Sequence, residues 1–341
     1  MGIVARDLGI DLGTSNIMVY VKRKGIVIDE PSIVAVDVAN EQKVHAVGSD
    51  AKQMMQRTDG IMAVRPMREG VITDFDMTRM LISYFIKKSI GNNSIIKPSV
   101  FISYPAGISS IERRAVSEAA RLAGCRKLHL IEKSFLAALG ADLRVFEPTG
   151  TMIVDVGGGT TDISILSLGG VVVTHSIRVG GIKMDEAIIN FIKQEFNMLI
   201  GDRTAEEVKL DLASALPFTS ERMARIRGRD MITNLPQFID ISTTQIFESI
   251  QDTCYAIVEA IKYVLSLTPP ELTRDIIENN IYLTGGGAML FGLDQLISTE
   301  LNIPVILSKQ PMEDTINGLG NLIENYDTLK NMIQSNIIKS V

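Results

Sequence analysis

Apolar residues fall into short, recurring runs along this chain. The segment Asp7-Leu8-Gly9-Ile10-Asp11-Leu12-Gly13-Thr14-Ser15-Asn16 leads into the β-branched run Ile17-Met18-Val19-Tyr20-Val21-Lys22, which reads as two strands meeting at a glycine turn. The design returns at Met152-Ile153-Val154-Asp155-Val156-Gly157-Gly158-Gly159-Thr160-Thr161-Asp162, followed by the alternating Ile163-Ser164-Ile165-Leu166. Asp11 and Asp155 lie 144 residues apart, too long a period for a solenoid, so the repeat predicts a duplicated, two-lobed fold. Between the copies, Val100 to Pro105 reads as a buried strand and Ile111 to Ala123 as a helix with basic residues on its polar face, giving α/β alternation. From Met184 to Glu259 the spacing is mostly helical. Pro217 and the basic, strand-poor stretch Arg222 to Arg229 suggest an inserted helical subdomain there. Ile281-Tyr282-Leu283-Thr284 predicts a short strand running into Gly285-Gly286-Gly287 and then a helix through Leu290.

Composition narrows the picture. A chain of 341 residues exceeds the usual size of one core, which again favours two lobes. Hydrophobic residues at 46% and charged ones at 22% describe a globular protein. The formal charge of −6 speaks against a general nucleic-acid binder, which needs a basic surplus. Cys125 and Cys254 form neither a zinc spacing nor a disulfide scaffold, so a reducing cytoplasm is expected. The start carries no signal pattern and no apolar run reaches the ~18 residues that span a bilayer, so a soluble protein is expected. His45, His129 and His175 have no spacing that suggests a metal site or a nucleophile pair.

The chemistry concentrates in the glycine turns. Glycine lets backbone N–H groups approach a polyphosphate, and Thr14, Ser15, Thr160 and Thr161 add hydroxyl donors. Asp11 and Asp155 would then face each other across a cleft, each able to hold water around a magnesium ion. Gly285-Gly286-Gly287 could set bare backbone and a helix N-terminus against the nucleoside and α-phosphate. Asp-Gly turns are common and a glycine triplet can be a mere connector, so each loop alone says little. Three in this order and spacing point to one nucleotide. Neither a P-loop nor a G-x-G-x-x-G fingerprint is present.

These residues resemble the actin, Hsp70 and sugar kinase superfamily, and most closely the bacterial actins of the MreB family, along nearly the whole chain. The resemblance is carried by Ile10 to Asn16, Arg65-Pro66-Met67 with Gly70 to Phe75, Val154 to Asp162, Asp185-Glu186-Ala187-Ile188 and Leu283 to Leu290. It implies an α/β fold, a duplicated actin-like (ribonuclease H-like) two-lobed fold with the nucleotide cleft between lobes. Subdomain IA would comprise 1–32, 66–146 and 313–341, and IB 33–65; IIA would comprise 147–182 and 250–312, and IIB 183–249. It further implies ATP/ADP with Mg2+ as ligands. The first phosphate loop would include Gly13, Thr14, Ser15 and Asn16, the second Gly157, Gly158, Gly159, Thr160 and Thr161, and the adenosine loop Gly285, Gly286, Gly287 and Ala288. Asp11 and Asp155 would hold the metal through water. Glu206 and Lys209 match positions that flank the nucleoside in relatives; three apart, they share a helix face, and a surface ion pair explains them equally well.

One departure bears on catalysis. At Ile131-Glu132-Lys133-Ser134 relatives resemble Glu-Glu-Pro or Asn-Glu-Pro, so Lys133 stands where the family's catalytic glutamate would act alongside Thr161 and Asp155. A lysine, with a reference pKa near ~10.4, cannot accept a proton from the attacking water. Glu132 is an imperfect rescue, since helix neighbours point about 100° apart, and Ser134 in place of proline frees the local φ. Ile17 in place of a family threonine and Ile182 in place of an aspartate remove further polar groups near the cleft. The expectation is nucleotide binding with impaired ATP hydrolysis.

Gly91-Asn92-Asn93-Ser94-Ile95-Ile96-Lys97-Pro98 resembles the family loop whose apolar tip, here Ile95 and Ile96, dips into the inner face of the cell membrane; the alternative is packing under the strand beginning near Ser99. The C-terminal Met332-Ile333 and Ile337-Ile338-Lys339 form a weakly amphipathic stretch that could as easily cap the core. The resemblance predicts self-association into paired cytoskeletal filaments for cell shape or motility, with MreB paralogues and the membrane as partners, in the cytoplasm or peripheral on the membrane. The runner-up is a small-molecule kinase of the same fold. An Hsp70-like chaperone is disfavoured because the chain ends at Val341 with no substrate-binding domain.

Overall fold

A computed structural model describes residues 7–54, 60–91, 97–334 and 337–340. The duplication read from the sequence is visible in the sheets. The first lobe carries six strands in the order Ile338–Ser340, Lys127–Glu132, Ser99–Tyr104, Leu8–Leu12, Asn16–Val21 and Gly25–Pro31. The second carries five in the order Gly170–Ile177, Thr161–Ser167, Thr151–Val156, Ile281–Thr284 and Val305–Leu307. In each, the first three strands in sequence run as an antiparallel meander; a fourth pairs in parallel with the first of them, and a fifth pairs in parallel with the fourth. Parallel strands need crossovers, which helices supply on the sheet faces. The strands are accordingly covered on both sides: Thr151–Val156 and Ser99–Tyr104 are buried throughout.

Helix ends obey their local chemistry. Asp74 caps Phe75–Ile90 by accepting from the Met77 N–H at 2.9 Å, and Ser109 with Glu112 forms a capping box at the start of Ser110–Leu122, the helix expected at Ile111 to Ala123.

The stretch expected to form an inserted helical subdomain is only partly helical. Helices Gly181–Phe196, Asp202–Leu212 and Thr243–Ser266 match the apolar spacing, but Arg222 to Arg229 is not strand-poor: Met223–Asp230 pairs antiparallel with Pro236–Ser242. Period-2 alternation explains this. Ile226 points inward while Arg225, Arg227 and Arg229 occupy the exposed positions, where long charged side chains leave the inner face free to pack. The Arg225 guanidinium also lies 5.1 Å from the centre of the Phe238 ring.

Between the lobes, helices Lys133–Gly140 and Asp314–Glu324 cross, with Phe135, Leu136, Ile316, Leu319 and Ile323 in a cluster that also includes Met18 and Phe101 of one sheet and Ile153 and Leu166 of the other. They meet backbone to backbone. A Cβ on Gly140 would overlap the Asp314 carbonyl, and one on Gly318 the Leu136 carbonyl. Ile333 and Ile337 are buried in this cluster, and Ile338–Ser340 pairs with Lys127–Glu132, so the C-terminal stretch caps the core. Among the described residues no helix is long and apolar enough to cross a membrane.

Candidate functional site

The two meander turns are built alike. In the first, the Gly13 N–H donates to the Asn16 carbonyl at 3.1 Å; in the second, the Gly157 N–H donates to the Thr160 carbonyl at 2.8 Å. Asp11 and Asp155 sit two residues before these glycines, on strands Leu8–Leu12 and Thr151–Val156. The first turn is braced by Ser32, whose N–H donates to the Ser15 carbonyl and whose hydroxyl donates to the Gly13 carbonyl. The Thr14 hydroxyl accepts from the Gly70 N–H at 3.1 Å, and the Asn16 amide donates to Asp29 at 3.0 Å.

The turns meet across the cleft. A Cβ on Gly158 would strike the Ser15 hydroxyl, and one on Gly159 would come within 2.7 Å of Thr14 Oγ1, so these glycines make room for the facing loop. The second turn also receives the start of helix Gly181–Phe196: the N–H groups of Gly181 and Ile182 donate to the carbonyls of Gly157 and Gly158 at 3.0 and 2.9 Å.

The third loop approaches from the end of Ile281–Thr284. Gly285 takes φ +89° and lies so close to the Val156 carbonyl and Asp155 that no side chain fits. Beyond it the chain makes a single 3₁₀ turn, Gly286–Met289, rather than the helix expected through Leu290, so the predicted helix N-terminus is missing. Within that turn Ala288 is buried and Gly286 exposed. The loop is anchored by the Gly285 N–H donating to the Pro311 carbonyl at 2.9 Å and by the Thr284 hydroxyl donating to Asp314.

Lys133 sits at the centre of the carboxylates. Its ammonium lies 3.0 Å from Asp155 Oδ2. Burial works against this charge, but the fields of Asp155, Asp11 and Asp162 outweigh it and hold the lysine above its ordinary pKa. Asp155 is only 2% exposed, and its buried Oδ2 has the ammonium as ion partner with no well-aligned hydrogen bond. Asp11 accepts a short hydrogen bond from the Ser103 hydroxyl; burial raises its pKa, with the Lys133 charge opposing. Asp162, fully buried, accepts from the Ala106 N–H and the Thr160 hydroxyl, both at 3.0 Å, and burial pushes it up to about 6.

The donor set does not suit magnesium in this arrangement. That ion demands six oxygens in octahedral array and keeps several waters. Here one of the two carboxylates expected to hold its water shell, Asp155, is paired with an ammonium and has almost no exposed surface, and the other, Asp11, lies in the field of the same charge. Among the described residues no cluster of three His, Cys, Asp or Glu could hold a metal.

Other expectations changed on folding. Glu132 is the last strand residue rather than a helix neighbour of Lys133, so the 100° argument does not apply; its carboxylate accepts from the Ser134 hydroxyl at 3.1 Å and lies near the Tyr104 phenol. Thr161 is buried and donates its hydroxyl to the Val179 carbonyl at 2.8 Å. Ile17 belongs to the first lobe's core, and Ile182 is half-buried on the first turn of its helix. Lys209 pairs with Asp185 at 2.8 Å and donates to the Gly181 carbonyl at 2.9 Å, which sets it against the second turn, while Glu206 stays exposed. Ile95 and Ile96 lie outside the described residues.

Asp162, Ser103 and Asp185 were not singled out by sequence reasoning as site residues. Asp162 carried a usable signal, a charged residue near the start of a run that reads as a strand, since unpaired charges are rarely buried. Asp185 lies in the Asp185 to Ile188 segment that carries the resemblance, but its pairing with Lys209 was not readable there, and Ser103 carried no signal.

Comparison with known proteins gives a consistent answer. Residues 5–331 match the model of the family described as MreB/Mbl protein. The cell shape-determining protein Mbl of Bacillus subtilis is 45% identical over 326 residues, covering 95% of this chain and 98% of that protein. The structure of MreB5 of Spiroplasma citri bound to ADP superposes with a TM-score of 0.89 at 31% identity, over 97% of this chain and 99% of that one. A MamK double helical filament shares the fold, at a TM-score of 0.78 and 24% identity over 94% of this chain and 99% of that one.

Proposed function

The chain belongs to the MreB/Mbl family of bacterial actin-like cytoskeletal proteins, and from that premise we propose that it is a nucleotide-binding filament subunit whose ATP hydrolysis is impaired. The observation that carries the reading is the pair of matched turns, Gly13 to Asn16 and Gly157 to Thr160, facing each other beneath Gly285 with Lys133 bound to Asp155. Backbone N–H groups and the Thr14, Ser15 and Thr160 hydroxyls would take the phosphates of ATP or ADP, and the Gly285 to Ala288 turn and Lys209 would border the nucleoside. MreB5 of Spiroplasma citri bound to ADP and to AMPPNP supports this assignment.

Hydrolysis needs a group that orients the attacking water and accepts its proton. Lys133 is protonated and tied to Asp155, and the Thr161 hydroxyl is engaged by Val179. Magnesium would compete with the Lys133 ammonium for Asp11 and Asp155, so the proposed ligand is the nucleotide. The kinase alternative is set aside, since the relatives matched over nearly the whole chain are cell shape-determining proteins.

The four subdomains of the resemblance, IA, IB, IIA and IIB, remain the proposed division of the chain. Self-association into paired filaments, co-assembly with MreB paralogues and attachment to the inner membrane face through Ile95 and Ile96 complete the proposal. The deciding experiment is phosphate release with ATP, run beside pelleting of the same samples, for the native chain and Lys133→Glu. Pelleting with little phosphate release, and turnover gained in the variant, is the expected result; brisk release by the native chain would overturn the impaired-hydrolysis reading.

A further inference from the structure

A site that takes in a triphosphate must supply positive charge. In this cleft the positive charge closest to the paired aspartates is part of the chain. Lys133 is the first residue of helix Lys133–Gly140, whose next six residues are all buried, so the base of its side chain is fixed. Its ammonium is drawn to Asp155 at 3.0 Å and lies in the field of Asp11 and Asp162. It also borders the second turn, since a Cβ on Gly157 would stand 3.7 Å from Nζ. Lys133 therefore reaches both Asp155 and the glycine loop.

An ammonium has three N–H donors, and one carboxylate contact leaves others to offer. A divalent ion entering beside it would meet like-charge repulsion at short range and carboxylates already neutralised in part. Asp155 would have to leave its ion pair and expose an oxygen that is now buried.

Resting on the nucleotide-binding reading, we propose that the Lys133 ammonium is the resident cation of this cleft, meeting the terminal phosphates in place of a divalent metal, so that nucleotide binds without magnesium. The chemistry recognised is a di- or triphosphate chain, held by one fixed ammonium and by backbone amides. The lysine thus has a binding role of its own, apart from the loss of a catalytic carboxylate.

The test titrates a fluorescent N-methylanthraniloyl ATP into the native chain with magnesium and with EDTA. The expected affinities agree within about threefold, whereas Lys133→Met loses about tenfold or more in EDTA and recovers when magnesium is returned, tenfold being a shift in Kd that titration resolves readily. Lys133→Arg, which keeps the charge and the tie to Asp155, should bind without magnesium as the native chain does. A native chain that binds with magnesium but loses about tenfold in EDTA overturns the inference and leaves nucleotide binding standing. Equal insensitivity to EDTA in Lys133→Met overturns the role of Lys133. A native chain that binds in neither condition overturns the nucleotide reading itself. The native arm needs no variant, so misfolding of Lys133→Met leaves the question decidable.

Discussion

Lys133 Nζ lies 3.0 Å from Asp155 Oδ2, which ties the residue standing at the family's carboxylate position to the aspartate of the second phosphate loop. The pair is nearly dry, with side-chain exposures of 17% and 2%. Breaking a buried pair leaves an uncompensated charge. Lys133→Met should therefore destabilise the fold by about 3–5 kcal/mol in urea unfolding. Adding Asp155→Asn should restore much of that loss. A double variant no more stable than Lys133→Met would show that the ion pair is not the source of the effect.

Asp162 predicts a pH dependence. Its folded pKa of about 6 stands above the ordinary 3.8, chiefly because burial penalises the charged form. The folded chain thus holds this proton to higher pH than the unfolded chain, and stability falls as pH rises from about 4 through 6. Asp162→Asn should be more stable than the native chain at pH 7, by on the order of 1 kcal/mol, with the advantage vanishing below pH ~4. Urea midpoints across that range would show it, and a constant difference would contradict it.

At the crossing of the two central helices, Gly318→Ala places a methyl group against the Leu136 carbonyl. Overpacking of this kind costs about 1–3 kcal/mol, and more where backbone atoms must move. A thermal melt lowered by several degrees is the expected result, whereas Gly201→Ala, where a Cβ meets nothing within 4 Å, should leave it unchanged.

Ile95→Ser with Ile96→Ser should reduce co-sedimentation with anionic liposomes while leaving pelleting of filaments intact. Unchanged liposome binding would assign these isoleucines to packing.

The duplicated fold was legible because its signal is local and repeated: Asp11-Leu12-Gly13 and Asp155-Val156-Gly157 each end a buried strand at a glycine turn. The hairpin at Met223 to Ser242 was not, because the alternation of its first strand sets a single buried Ile226 against exposed arginines, too few apolar positions to mark a strand. The loop positions are legible in the sequence, but their electrostatics are not. That Lys133 would turn to Asp155, and Lys209 to Asp185 rather than Glu206, depends on segments far apart in sequence coming together. Thr161 looked available in the sequence, and only the position of the Val179 carbonyl shows its hydroxyl engaged.

The contact between Gly140 and Gly318 also fixes how the cleft's floor is placed. With no side chain between the two helices at that point, their separation is set by peptide groups, and pressing one helix toward the other would bring backbone atoms into overlap. Lys133 sits on one of the two shafts, about 10 Å from the crossing at 1.5 Å per residue. A residue larger than glycine at either position would push aside the shaft that carries Lys133 and so displace the base of the side chain that meets Asp155.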